Sequence, residues 1–177
     1  MTAARLFIAL WPDAAVRDSL AQWRDDWRWP RHATPVSADR LHVTLHFLGD
    51  VAAERVADVA AALSCPFEPF TLSFGRSLVW DHGIAVLEPH STPDQLIALH
   101  AALGRTVQQH GLDTDTRPYR AHATLARRAT GAVPAHAGPA IEWRVDRYAL
   151  MQSVTGRGGG YTRLQSYGAS GDILGGI

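Results

Sequence analysis

Apolar residues recur along the chain with two periods, one typical of strands and one typical of helices. The first apolar run, at 6–10, is short and ends at Pro12, and therefore predicts a buried strand. Spacings of four, three and four then place one apolar stripe on a helix, formed by Val16, Leu20, Trp23 and Trp27. Two prolines within 30–39 indicate a loop.

The same periods predict two more helices and, besides the strand that carries RLHVTL at 40–45, five more strands. Asp50 is a candidate N-cap for a helix whose apolar face is Val56, Val59, Ala60 and Leu63. Thr92-Pro93-Asp94 is a typical helix start, with Pro93 in the first helical position and Gly111 as the stop; the buried stripe is Leu96, Leu99, Leu103 and Val107. The remaining strand candidates are 70–74, 84–87, 121–126, 143–153 and 161–167, the last two joined through TGRGGG at 155–160.

Helices and strands are therefore interleaved, with room for antiparallel pairs, which indicates an α+β fold. RLHVTL at 40–45 and RAHATL at 120–125 share Arg, His, Thr and Leu at the same offsets, and each follows a helix and a loop. This equivalence suggests two similar halves. Since no linker separates them, residues 1–177 are expected to form one bilobal domain.

The two RxHxTL stretches are candidates for a catalytic site. Side chains alternate along a strand, so His42, Thr44 and His46 are predicted on one face, and His122 and Thr124 on the equivalent face of the second copy. If the two faces meet, one imidazole can act as base and the other as acid, while the threonine hydroxyls bind oxyanions. Such a set suits a phosphodiester and needs no metal.

The histidines also allow other interpretations than a catalytic pair. A single His and Thr on a solvated strand face carries no function on its own, but two matched copies are a stronger signal. Two further His-x-Thr tripeptides, at 32–34 and 90–92, precede prolines; the second is better explained as a helix-capping turn. His42 and His46 could also be two metal ligands, but catalytic zinc usually takes three and no third is indicated nearby.

Composition narrows the possible partners and setting. Lys plus Arg equals Asp plus Glu at 17 each, so net charge does not indicate a nucleic-acid duplex or an anionic membrane, and an anionic ligand needs a local cluster of donors. Cys65 is the single cysteine, which favours a reducing compartment. No apolar run approaches the length of a membrane span or a signal peptide. We therefore expect a cytoplasmic monomer.

The chain resembles the 2H phosphoesterase superfamily, in particular its RNA 2',3'-cyclic phosphodiesterase branch, long called 2'-5' RNA ligases. The resemblance rests on RLFIAL at 5–10, LHVTLHFLGDV at 41–51, HGL before YRAHATLAR at 119–127, and YALMQSVTGRGGGYTRL at 148–164. It implies two antiparallel sheets lining a central cleft, with helices outside and a pseudo-two-fold axis. It also implies metal-independent hydrolysis of terminal 2',3'-cyclic phosphates to 2'-phosphates, with no cofactor.

The resemblance further implies a role for each matching residue. His42 would donate a proton to the leaving 3'-oxygen and His122 would activate water, with Thr44 and Thr124 binding the phosphate. Arg127 matches a basic residue near the phosphate, although strict alternation from His122 places it on the wrong face unless the strand twists, bulges or ends. The segment 75–89 follows the branch only loosely, which affects the RNA-end preference and not the core chemistry.

Three functions remain open at the level of sequence. The first is cyclic phosphodiesterase activity, on RNA ends or on small 2',3'-cyclic nucleotides. The second is ATP-independent 2'-5' RNA ligation at the same site, with a 5'-hydroxyl in place of water. The third is a non-catalytic RNA-binding module, against which the presence of both histidines argues. The tryptophans are candidates for base stacking or for the core, with Trp23 and Trp27 assigned to the core.

Overall fold

The structure is a computed structural model that describes residues 3–154 and 159–174. Its three α-helices are α1 (Ala14–Asp25), α2 (Val56–Ala62) and α3 (Asp94–Gln109). Its ten strands are β1 (Ala3–Leu10), β2 (Thr34–Pro35), β3 (Val43–Ala52), β4 (Phe70–Trp80), β5 (Ile84–Pro89), β6 (Ala123–Arg127), β7 (Ile141–Val145), β8 (Arg147–Ser153), β9 (Tyr161–Gly168) and β10 (Ile173–Leu174). The α+β class predicted from sequence is confirmed.

All ten strands belong to one antiparallel sheet, whereas the sequence predicted two. Nine of them follow the order β10-β9-β8-β1-β3-β6-β5-β4-β7, and β2 pairs with β6. The two halves of this sheet meet between β3 and β6, where Val43 and Ala123 form the pairing described between these strands. This short connection joins into one sheet the two halves that the family resemblance implied as separate sheets.

Most of the core lies on the sheet face that the helices cover. α1 packs against β6 and β7, and α3 packs against β3. The predicted stripe of α3, from Leu96 to Val107, is buried, as are Leu20 and Trp23 of α1. A second, smaller cluster of Phe7, Ala9, Ala149 and Met151, with Trp11 against it, lies on the other face of β1 and β8.

Three sequence predictions of element ends were wrong. Asp50 does not cap a helix, because β3 continues through Ala52 in register with β1 and α2 starts only at Val56. Pro93 is the N-cap of α3 rather than its first residue, and no side chain caps this helix, so His90-Ser91-Thr92 is not a capping turn. The candidate strand 143–153 is two strands, β7 and β8, which pair with different partners.

No helix within the described ranges, 3–154 and 159–174, combines the length and apolar character needed to cross a bilayer.

Candidate active site

The two repeated stretches meet at the centre of the sheet. His42 and His122 stand immediately before β3 and β6, and the pairing of Val43 with Ala123 brings the two strand starts together. Continuing that antiparallel register by one residue sets His42 opposite Thr124 and Thr44 opposite His122. All four side chains then share one face, with the histidines on a diagonal whose backbone separation is about 7–8 Å in a regular sheet.

The guanidinium of Arg127 lies close enough to both imidazoles for its charge to affect their pKa values. The pKa of His42 is lowered to about 4, mainly by burial and also by the charges of His122 and Arg127, against the opposing effect of the Arg40 carbonyl. Burial is also the main reason why the pKa of His122 is lowered, with Arg127 again contributing. The structure therefore brings together His42, His122 and Arg127, three residues that the sequence singled out.

Both imidazoles are held by the same backbone contact. The Nδ1 of His42 lies 2.7 Å from the carbonyl oxygen of Arg40, and the Nδ1 of His122 lies 2.7 Å from that of Arg120. A carbonyl only accepts, so each Nδ1 carries the proton and each Nε2 is left free to take or give one. The Nε2 of His42 lies 3.0 Å from Thr44 Oγ1, within its own motif.

Each motif also contains a β-bulge at its leucine. The register of β3 with β1 skips Leu45, between Thr44 and His46. The register of β6 with β5 skips Leu125, between Thr124 and Ala126. An extra residue in one strand resets the alternation of every side chain that follows it. The shared leucine, buried in both copies, therefore marks a shared change of face.

The bulge at Leu45 overturns the prediction that His46 shares the face of His42. His46 is 5% exposed and lies on the helix side, with its Nε2 2.8 Å from the carbonyl oxygen of His100 and its ring stacked on that of His100 at 4.0 Å. His46 and His42 therefore cannot form the ligand pair considered from sequence. Within residues 3–154 and 159–174, no three His, Cys, Asp or Glu side chains form a group that could hold a metal ion.

The bulge at Leu125 has the opposite consequence for Arg127. Without it, Arg127 would lie on the core face of β6; with it, Ala126 is buried and Arg127 is exposed on the face of His122 and Thr124. Phe47 occupies the equivalent position in the first copy, five residues after its histidine, and is 64% exposed. The sequence allowed Arg127 to share the face of His122 only if the strand twists, bulges or ends. The bulge at Leu125 meets this condition.

Each histidine is flanked by an aromatic ring and by the arginine of its own motif. Tyr161 meets the ring of His42 edge-on at 5.4 Å, and Arg40 lies 5.7 Å above the Tyr161 ring. Trp80 lies 4.3 Å from the ring of His122, and Arg120 lies 4.7 Å above the Trp80 ring. The two motif arginines thus occupy equivalent places beside the site.

A buried carboxylate supports the second histidine and was not singled out from the sequence. Glu88 is 4% exposed, forms an ion pair with Arg120 at 2.7 Å and accepts a hydrogen bond from Trp80 Nε1 at 3.0 Å. Its charge acts to raise the pKa of His122, against the larger effect of burial. The sequence offered no local signal for Glu88, because the residues it contacts are distant along the chain or lie across a hairpin.

Two other aromatic residues contact the first motif. Trp11 stacks on His42 at 5.3 Å, and the hydroxyl of Tyr119 donates to the carbonyl of Thr44 at 3.2 Å.

Trp23, Trp27 and Trp143 are buried, so the core assignment of the first two is confirmed. The TGRGGG hairpin falls largely outside the described residues.

Comparison with known proteins gives a consistent result. A family model described as the 2'-5' RNA ligase superfamily matches residues 11–157. The RNA 2',3'-cyclic phosphodiesterase of Escherichia coli K12 is 33% identical over 158 residues, covering 87% of this chain and 89% of the relative. The crystal structure of E. coli LigT complexed with 3'-AMP superposes with a TM-score of 0.79 at 30% identity, covering 94% of this chain and 98% of that one. A structure described as a phosphoesterase superposes with a TM-score of 0.84 at 30% identity, over 96% and 99% of the two chains.

Proposed function

Because the chain belongs to the 2'-5' RNA ligase superfamily, we propose that it is a metal-independent RNA 2',3'-cyclic phosphodiesterase. The observation that supports this proposal is the single sheet face on which the two His-Thr pairs and Arg127 lie, at the junction of the two halves of the sheet. The name and ligand of the E. coli relative support the substrate class.

The proposed reaction has two proton transfers, and each histidine carries out one of them. His122 Nε2 takes a proton from water, whose oxygen attacks the phosphorus of the cyclic phosphate. The bond between phosphorus and the 3'-oxygen breaks, and that oxygen takes a proton from His42 Nε2. The product is a 2'-phosphate with a free 3'-hydroxyl, and the two histidines have exchanged protonation states.

The remaining three residues bind the negatively charged oxygens of the phosphate. Thr44 and Thr124 donate hydrogen bonds to the non-bridging oxygens, and the Arg127 guanidinium offers two donors and a positive charge. A bound phosphate also offsets the burial that lowers the pKa of His42, because a nearby anion favours the imidazolium. In this proposal the substrate itself enables His42 to act as the acid.

The bilobal arrangement belongs to the same proposal. The whole chain, 1–177, would act as one catalytic domain whose two halves each supply one motif, related by an approximate two-fold axis through the Val43–Ala123 pair. The equivalent bulges, backbone contacts and flanking arginines of the two motifs support this relation.

Product analysis tests the proposal directly. The purified chain, kept in excess chelator, is incubated with nucleoside 2',3'-cyclic phosphates and with RNA that ends in a 2',3'-cyclic phosphate. We expect 2'-phosphate products at a rate that the chelator does not change. A 3'-phosphate product, or turnover that requires an added metal, would refute the proposal. Adding RNA with a 5'-hydroxyl end shows whether a 2'-5' linkage forms in competition with hydrolysis.

A further inference from the structure

An uncovered aromatic surface extends from the candidate active site across the first half of the sheet. It consists of the exposed rings of Phe47 and Tyr161, which lie on either side of the buried ring of Phe7, and we call these three residues the aromatic platform. Phe47 is 64% exposed and Tyr161 is 37% exposed, although large apolar rings on central strands are usually covered. The platform lies on the sheet face opposite the helices, because Phe7 alternates with the core residues Leu6 and Ile8 of β1.

The platform is continuous with His42. The ring of Phe7 lies 5.2 Å from that of His42, 6.1 Å from that of Phe47 and 4.9 Å from that of Tyr161. Phe7 is therefore the central ring, and Phe47 lies one step further from the catalytic histidine. A ligand held at His42 that extends in this direction passes over the buried Phe7 and reaches the exposed ring of Phe47.

Positive charge accompanies these rings. Arg163 is exposed and lies opposite Met151, which is itself opposite Phe7, so the cation stands two strands from the central ring. Arg40 lies above the Tyr161 ring. Arg5 also borders the platform, but it is opposite Asp50, which offsets its charge. In a chain with no net charge, Arg163 and Arg40 give this surface a local preference for anions.

We infer that the aromatic platform binds the nucleotides that precede the cyclic end of a single-stranded RNA, with a base stacked on the exposed ring of Phe47 and a backbone phosphate at Arg163. The inference rests on the proposed function, since it takes the cyclic phosphate to lie at His42. Single-stranded nucleic acid is bound in this manner elsewhere, by aromatic rings that stack bases next to cations that contact phosphates.

The position of the rings favours RNA over a peptide as the occupant. An extended peptide binds by adding a strand to an open sheet edge, where main-chain groups are free. Phe7 and Phe47 lie on β1 and β3, which both have neighbours on each side, so their main-chain groups are already paired. Ring faces and side-chain cations remain, and these suit bases and phosphates.

The test compares substrate lengths in variants of Phe47. The value of kcat/KM is measured for a five-nucleotide RNA ending in a 2',3'-cyclic phosphate and for the corresponding nucleoside 2',3'-cyclic phosphate. In Phe47→Ala we expect the ratio of the two values to shift against the RNA by about fivefold or more. Phe47→Tyr keeps a ring and should keep the wild-type ratio, whereas Phe47→Leu keeps only apolar area and should behave as Phe47→Ala.

Arg163→Ala supplies a second measurement, with a readout that stacking does not affect. Loss of one phosphate contact should reduce the slope of log kcat/KM against log salt for the RNA by about 0.7. Matched controls are Ile97→Ala, an exposed apolar residue on α3, and Arg144→Ala, an exposed cation on the distant edge strand β7. Neither should change the ratio or the slope.

The outcomes separate this inference from the proposed function. If the wild-type chain turns over neither substrate, the proposed function fails. If it turns over both and Phe47→Ala lowers them equally, the ring belongs to the site of the terminal nucleotide and the platform is refuted. An unchanged ratio in Phe47→Ala, or an unchanged salt slope in Arg163→Ala, overturns the inference as well.

Discussion

At the scale of single residues, the repeat is explained by contacts that the two copies of the motif make in the same way. The arginine carbonyl accepts the Nδ1 proton of the histidine two residues later, and the arginine side chain lies over the aromatic ring that flanks that histidine. The four repeated residues can be identified from the sequence alone, because they recur at the same offsets. It could not give Glu88, which contacts Arg120 and Trp80 only after the strands are assembled.

Glu88 leads to a prediction about the pH dependence of the reaction. Its carboxylate raises the pKa of His122, so Glu88→Gln should lower that pKa and keep His122 unprotonated to lower pH. The acid limb of kcat/KM should therefore move to lower pH, while the glutamine oxygen still accepts from Trp80. A pH–rate profile of the two proteins measures the shift.

The control for this experiment is Glu142→Gln, which replaces an exposed carboxylate on β7. It should leave the acid limb in place. A Glu88→Gln profile that is lowered at every pH without a shift would show that the residue has only a structural role and would contradict the electrostatic account.

At the scale of secondary-structure elements, two bulges decide which side chains lie on the sheet face of His42 and His122. Strand alternation predicted His42, Thr44, His122 and Thr124 on cleft-facing positions, and this part of the site could be derived from the sequence. The bulges at Leu45 and Leu125 could not, because a skipped residue leaves the sequence pattern apolar and depends on the register with a neighbouring strand. For that reason His46 was misplaced.

The bulge at Leu125 predicts a sharp difference between two adjacent arginines. Arg127 lies on the sheet face of His122, whereas Arg128 donates to Thr34 Oγ1 through its guanidinium. Arg127→Ala should lower kcat/KM for a nucleoside 2',3'-cyclic phosphate by on the order of 100-fold, the effect of removing a donor to a developing anion. Arg128→Ala should change it by less than about threefold. Steady-state kinetics that found the larger loss in Arg128→Ala would contradict the register.

At the scale of the whole molecule, four histidines, one buried and three half-buried, are kept uncharged by loss of contact with solvent. Burial lowers the pKa of His42 and His100 to about 4 and also lowers those of His46 and His122. In the unfolded chain each titrates near its ordinary value of 6.5, so the unfolded state binds more protons between pH 6.5 and pH 4. The stabilising effect is complete above pH 6.5 and is lost as the pH falls toward 4.

Urea unfolding at pH 7 and at pH 5 tests this linkage. The free energy of unfolding should fall on the order of 2 kcal/mol between the two conditions. His100→Gln removes one of the titrating groups and should reduce the difference between the two pH values, whatever its effect on stability at pH 7. Equal stability at pH 7 and pH 5 in the wild-type chain would contradict the buried, uncharged state of these rings.

The central claim is that one histidine from each half of the sheet acts on a single phosphorus. The measurement that tests it most directly is the rate of hydrolysis of a nucleoside 2',3'-cyclic phosphate by His42→Ala, His122→Ala and the double variant. Each single change should lower kcat by about 10²–10⁴-fold, and the double variant should lose little more than the worse single one, because the two residues work as a unit. His32→Ala, in the unpaired His-x-Thr tripeptide, should retain the wild-type rate. Near-normal turnover in either catalytic variant, with the fold intact by circular dichroism, would contradict the claim.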